Sequence, residues 1–330
     1  MTRKTILDVD TGTDDAVSIM FAALHPDIDL LAVTTVHGNA PVASTTDNTL
    51  RVLDWIGAST VPVFGGLSRP IVRLDFPAAR HFDTDSADDP HGTTLSIPPA
   101  RTRARETGAV EYLLHTLRTT TEQLTLVATA PLSNIAAALA IDPSIVEAVE
   151  EIVIMGGGHT VANVTASAEF NTWADPEAAQ MVFSAGFERL TLIPLDATYQ
   201  ALITRRTCTE LEELGTPAGV AAARFIDRRI TAYEGSLTTA GAAPVHDVLC
   251  PAYLVQPDLV TTRHLPVAVE TAGSLSVGRT VMDTRPGTTQ KRNAHVAFTT
   301  DAQALARLLL GVFAKDLESD PGRLNGAAPQ

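Results

Sequence analysis

Four carboxylates fall within eight residues near the start of the chain, in Asp8-Val-Asp10-Thr-Gly12-Thr-Asp14-Asp15. Acids this dense repel one another unless a cation or a network of hydrogen-bond donors compensates them. Carboxylates supplied by a turn suit a hard cation, and Ca²⁺ takes about 6–8 oxygen ligands of this kind. Asp14 and Asp15 also have a simpler use, because acids in the first turn of a helix cap free N–H groups and oppose the macrodipole. Asp8 and Asp10 lack that use: residues two apart on a strand share a face, so the two charges would confront each other. A cation site is the expectation, in preference to a solvated strand-to-helix turn.

The flanks of this run position it. Thr5-Ile6-Leu7 reads as a buried strand, and Val17 through Leu24 as a helix with apolar residues at helical spacing. Gly12 allows a sharp turn between them. The acids are thereby expected at the carboxyl end of a strand, where open α/β sheets bind ligands. Strand and helix patterns keep alternating: strands at 29–36, 61–64, 124–128, 151–155 and 190–194, helices at 44–56, 110–117, 132–139 and from Asp175-Pro-Glu177. The pattern predicts an α/β fold with a doubly wound, mainly parallel (mixed) sheet flanked by helices, as one domain over 1–318 with lid loops.

Residues 65–104 interrupt the rhythm with five prolines, several aspartates, His81 and His91. So long an irregular segment is expected to act as a lid over the site. Residues 205–240 read as one or two helices carrying Arg224, Arg228, Arg229 and Tyr233, with the three arginines on a solvated face. Strand patterns recur at 259–270, 277–283 and 293–299, a helix closes the pattern at 301–313, and 319–330 is expected to fray. The polar residues collect at strand ends: the first acids, Asn39, Thr129, Met155, Asn163, Glu169, Asn171 and His246-Asp247. Alternation would bring them to one crevice.

At 330 residues with 45% hydrophobic content, the chain can bury a sizeable core. A formal net charge of −14 argues against nucleic acid or an anionic membrane as partner. Cys208 and Cys250 give neither a disulfide framework nor zinc spacing and are expected to be reduced thiols. No apolar run approaches the roughly 18–20 residues of a membrane span, and the first residues show no signal-peptide core, so a cytoplasmic location is expected.

The chain resembles the calcium-dependent nucleoside hydrolases, the inosine/uridine-preferring family, over nearly its whole length. The resemblance rests on Asp8-Val-Asp10-Thr-Gly12-Thr-Asp14-Asp15-Ala16, Gly38-Asn39, Thr129-Ala-Pro-Leu-Ser-Asn-Ile-Ala, Met155 with three glycines, Asn163 through Asn171, and His246-Asp247. It implies hydrolysis of ribonucleosides to ribose and free base. It also implies Ca²⁺ held by Asp10, Asp15, the Thr129 carbonyl and Asp247, with Asp10 doubling as general base toward the calcium-bound water. Asp14 and Asn39 would hold the 2′-hydroxyl side of the sugar, Asn171 the 3′-hydroxyl, and Asn163 and Glu169 the 5′-hydroxyl, with Met155 packing nearby. Asp8 would orient its neighbours. His246 would either donate a proton to the leaving base or pack on it. The pair His91-Gly92 matches the family's lid histidine, with His81 the competing choice, and Tyr233 falls in the helical region that caps the base. A homodimer or homotetramer is implied as well.

Two other readings start from the same residues. In a haloacid-dehalogenase-like phosphatase, Asp8 would be the nucleophile, Asp10 its partner and Mg²⁺ the metal. That reading finds Gly12 where its pattern has Thr or Val, and leaves Asp14, Asp15, Glu169 and Asn171 without a role. A ribose- or calcium-binding protein without catalysis is the third reading, and all proposed ligands and the base are present.

Overall fold

A computed structural model describes residues 2–77, 89–234 and 241–315. His81, residues 235–240 of the expected capping region and the 319–330 tail lie outside the described residues. The strands are β1 (Arg3–Val9), β2 (Ile28–Thr35), β3 (Val63–Gly65), β4 (Leu124–Ala128), β5 (Val149–Met155), β6 (Leu190–Ile193), β7 (Leu202–Thr204), β8 (Ala242–Pro244), β9 (Val260–Leu265), β10 (Val267–Val269), β11 (Thr280–Met282) and β12 (Ala294–Thr300). The helices are α1 (Thr13–Leu24), α2 (Val42–Trp55), α3 (Ala109–Thr119), α4 (Ser133–Ile141), α5 (Phe170–Ala174), α6 (Pro176–Ser184), α7 (Leu195–Thr198), α8 (Arg205–Glu213), α9 (Pro217–Tyr233), α10 (Leu249–Val255) and α11 (Ala302–Phe313).

Eight strands form the main sheet in the order β3-β2-β1-β4-β5-β6-β12-β9. Its neighbouring pairs run parallel except β12 with β9, so the sheet is mixed as expected. The order reverses between β1 and β4. Such a reversal opens a crevice beyond the carboxyl ends of the two strands.

Side chains alternate across this sheet. Leu7, Val9, Val127, Val153 and Met155 join one core layer with Phe21 of α1, Phe225 of α9 and Leu305 of α11. Ile6, Leu126, Ile152 and Ile154 join the other with Leu113 of α3, Ile135 of α4 and Phe183 of α6. Helices cover both faces, which is why the strands read as nearly continuous apolar runs. Each fully buried large aliphatic or aromatic side chain contributes about 1.5–3 kcal/mol.

Local signals set the turns that matter for the site. Asp15 Oδ2 accepts from the Gly12 backbone N–H at 3.0 Å and so closes the first turn of α1. Pro176 opens α6, and Asp175 caps it by accepting from the Ala178 N–H at 3.1 Å. The same Asp175 Oδ2 accepts from the Ile71 N–H at 2.8 Å and from Ser133 Oγ at 2.6 Å, anchoring the start of the 65–104 segment. Cys208 and Cys250 are both free and buried. No helix among the described residues is long and apolar enough to cross a membrane.

Candidate active site

Segments from across the chain meet at the crevice and enclose a cavity of about 370 Å³. Asp10, just beyond β1, is fully buried. Its Oδ2 accepts from the Asn39 backbone N–H at 2.6 Å and its Oδ1 from Asn39 Nδ2 at 3.2 Å. A Cβ on Gly38 would overlap Asp10 Oδ2, so only glycine lets the end of β2 close onto this carboxylate. Asp15 Oδ1 accepts from Thr129 Oγ1 at 2.8 Å, and the Thr129 carbonyl, beyond β4, accepts from Asn171 Nδ2 at 3.0 Å.

Carboxylate oxygens of Asp14, Asp15 and Asp247 lie within 4.8 Å of one another, and all three residues are buried. Burial raises the pKa of Asp15 and Asp247, and the neighbouring Asp14 raises both further. Asp14 goes the other way: burial pushes it up, but Arg229, then His91 and His246, outweigh that and hold it low. Clustered buried carboxylates of one hard oxygen type suit a divalent cation, so the donor set fits Ca²⁺. Asp14, expected on the sugar, is part of this mutual group. The carboxylate of Asp10, expected among the ligands, sits beside it and is engaged by Asn39.

The amides and acids expected on the sugar side converge too. Glu169 caps α5: its Oε1 accepts from the Asn171 N–H at 2.8 Å, and its Oε2 from Gly157 and Thr172 at 2.8 and 3.1 Å. Burial pushes its carboxyl up to about 7 against those donors. Asn163 Oδ1 accepts from the Phe170 N–H at 2.9 Å, and Asn171 Nδ2 also reaches the Met155 carbonyl at 3.2 Å. Asp14, Asn39, Thr129, Met155, Asn163, Glu169, Asn171, Tyr233, His246 and Asp247 all line the one cavity.

On the far side stand His91, from the loop, and Tyr233, from α9. His91 Nδ1 lies 3.4 Å from Asp14 Oδ1, and a Cβ on Gly12 would strike its ring. Thr13 Oγ1 donates to the Pro90 carbonyl at 2.9 Å and ties this loop to α1. Burial, then the Arg229 charge, pushes His246 down to about 3, so its ring is neutral at pH 7. Its Nδ1 shares a 2.7 Å hydrogen bond with Thr198 Oγ1, and its Nε2 lies 3.5 Å from the Tyr233 hydroxyl.

Two expectations are corrected here, and one residue enters that the sequence did not single out. Asp8 does not line the cavity: it is buried in the sheet, accepting at Oδ1 from Thr34 Oγ1 at 2.6 Å and from Asn134 Nδ2 at 2.8 Å. A nucleophile so enclosed cannot meet a phosphate, which removes the phosphatase reading built on Asp8 and Asp10. Arg229, expected on a solvated face, is fully buried and pairs with Asp14, while Arg224 stays exposed and Arg228 donates to the Asp89 carbonyl. The signal for Arg229 was its helical spacing from Ala222, Phe225 and Ile226, all buried on α9. Tyr199 was missed altogether. It lines the cavity, its ring meets His246 edge-on, and its hydroxyl is buried without a hydrogen-bond partner among the described residues.

Strand order and donor set together define an open α/β protein with a crevice of buried carboxylates and amides at its topological switch point. The chain belongs to the inosine-uridine preferring nucleoside hydrolase family, whose model matches residues 5–307. It is 39% identical over 303 residues to the pyrimidine-specific ribonucleoside hydrolase RihB of Escherichia coli strain SE11, covering 91% of this chain and 93% of that one. Among solved structures it is similar to a purine-preferring ribonucleoside hydrolase from Gardnerella vaginalis, with TM-score 0.85, 31% identity, and 94% and 98% of the two chains covered. A plant nucleoside hydrolase is also similar, with TM-score 0.82, 28% identity, and 95% and 99% covered. The chain is thus a nucleoside hydrolase, cleaving ribonucleosides to ribose and free base, and the reading as a binder without catalysis falls away.

Proposed function

We propose that the reaction uses Asp10 as general base in a site that holds Ca²⁺, and that pyrimidine ribonucleosides are the preferred substrates. The observation that supports this reading is one cavity lined by Asp14 and Asp247 together with the amides expected to hold a pentose, with Asp10 and Asp15 tied to its wall through Asn39. Asp10, Asp15, Asp247 and the Thr129 carbonyl would hold Ca²⁺, which when bound orients the ribose diol and makes a nearby water more acidic. Asp10 takes the proton of the attacking water, fixed in aim by the two Asn39 donors. The neighbouring carboxylates stabilise the oxocarbenium-like charge that develops on the sugar. Asp14 and Asn39 receive the 2′-hydroxyl, Asn171 the 3′-hydroxyl, and Asn163 with Glu169 the 5′-hydroxyl, while Met155 packs against the ring.

The base preference draws on the curated relative, which is pyrimidine-specific at 39% identity, whereas the purine-preferring structural relative stands at 31%. The test is a panel of uridine, cytidine, inosine, adenosine and 2′-deoxyuridine, assayed for released reducing sugar with and without a chelator. Uridine and cytidine should lead, and deoxyuridine should be slower by on the order of 10⁴-fold, because a site built around a hydroxyl rejects the analogue lacking it. Chelation should abolish turnover. Full activity in metal-stripped protein removes the cation, and purines leading the panel remove the preference.

A further inference from the structure

Arg229 heads the fully buried side chains of the described residues by size. Its Nη1 lies 3.0 Å from Asp14 Oδ1 and donates to Thr13 Oγ1 at 3.4 Å, and its Nε donates to the Pro244 carbonyl at 3.0 Å. Its guanidinium carbon stands 5.6 Å from the centre of the Tyr233 ring, and the side chain lines the cavity. Taking a permanent charge out of water is costly, so a role limited to holding Asp14 needs scrutiny. The molecule supplies its own control. Asp8 is buried just as deeply with no cation beside it: its Oδ1 takes the neutral donors Thr34 and Asn134, and its Oδ2 has no hydrogen-bond partner among the described residues. A buried acid in this fold does not require an arginine.

Placement suggests what the charge does. Asp14 faces the 2′-hydroxyl side of the sugar in the reading above, on which this inference rests, and C2′ adjoins the carbon that carries the base. Arg229 lies beyond Asp14, on the wall shared with Tyr233 and His246. We infer that Arg229 faces the departing nucleobase and stabilises the anion formed as the C1′–N bond breaks. The water oxygen bonds to C1′ and its proton passes to Asp10. The C1′–N electron pair leaves with the base and spreads onto its conjugated carbonyl and ring nitrogens. After release the base takes a proton from solvent, and Asp10 returns its own. The sum is nucleoside plus water giving ribose plus base. A guanidinium suits this step because it is always charged and offers several donors in a plane. The leaving group is neutral in the ground state and anionic only as it departs, so the charge acts where it accelerates the reaction.

The experiment compares uridine with 4-nitrophenyl β-D-ribofuranoside, whose acidic phenol departs without help. Turnover of both by the unsubstituted protein tests the underlying hydrolase reading. The ratio of the two kcat/KM values tests Arg229. In Arg229→Gln that ratio should fall about 100-fold or more, the usual effect of deleting one preorganised donor to a developing anion. Arg229→Lys, which keeps the charge, should recover much of it. Equal losses on both substrates would show that Arg229 only holds Asp14 in place, and a ratio within about threefold of the unsubstituted value would show no role; either overturns the inference. If Arg229→Gln does not fold, the unsubstituted protein still decides. Across uridine, 5-bromouridine and 5-fluorouridine, kcat/KM should rise with the acidity of the base, and a flat series overturns the inference.

Discussion

At the end of the cavity proposed to take the sugar, Asn39 and Thr129 follow strands β2 and β4 and Met155 closes β5, with Asp10, just after β1, held behind Asn39. At the base end, the walls come from the 89–91 loop, from the last turns of α9 and from the segment after β8. The first set is positioned by hydrogen-bonded register, which places neighbouring strand ends side by side. The second depends on how α9 packs over α1 and on where a loop settles, and nothing in the period of a sequence specifies either. The sugar end should accordingly be intolerant and uniform in its response to substitution. The base end should give smaller effects that change with the base.

The sharpest test of that contrast is Asp10→Asn, which keeps the size of the side chain and removes the proton acceptor. It should lower kcat by roughly 10²–10⁴-fold on every ribonucleoside, the range for loss of a general base. A loss that varies with the base would place Asp10 in the wrong half of the site.

Next in size is the response of the cation-free protein to pH. Burial raises Glu169 to about 7 from 4.5 and Asp8 to about 6 from 3.8. A group raised on folding contributes stability that is complete below its ordinary value and is lost as pH rises through its folded value. His37 and His246, which burial lowers to about 4 and about 3, pull the other way as pH rises, but the raised acids outnumber them, so the melting temperature should decline from about pH 4 to about pH 7. Asp15 and Asp247 are also raised and share that sign, and their portion is what added Ca²⁺ should restore, by about 2.7 kcal/mol at a hundred times its Kd. A melting temperature that climbs over this window, or that Ca²⁺ leaves unchanged at pH 8, would contradict the charge pattern at the sugar end.

The smallest effect belongs to the loop. His91 is partly exposed and only 3.4 Å from Asp14, a contact expected to contribute about 0.2–1 kcal/mol. His91→Ala should lower kcat/KM by about fivefold or less, to different extents for uridine and cytidine. An equal, hundredfold loss on both would move His91 into the sugar half.

The same contrast explains what the sequence made legible. The first acids, the turn at Gly12 and the doubly wound order could be anticipated because strand alternation and turn residues are local signals. The sugar-side residues came with the family motifs, and the cavity brings them together. Asp8 shows the limit of local reasoning: two acids on one strand looked alike, but Thr34 and Asn134 enclose the first and Asn39 engages the second. Arg229 shows the other limit. Three arginines on one helix read as a wet surface, and only the apolar stripe through Phe225 and Ile226 separates the buried one from the other two.

The hydroxyl of Thr13 serves both halves at once, receiving a donor from Arg229 and giving its own proton to Pro90. What it reaches on Pro90 is main chain, an acceptor that any amino acid would present. The side chains at positions 90 and 91 are thus free to vary without unfastening the latch between this loop and the first helix.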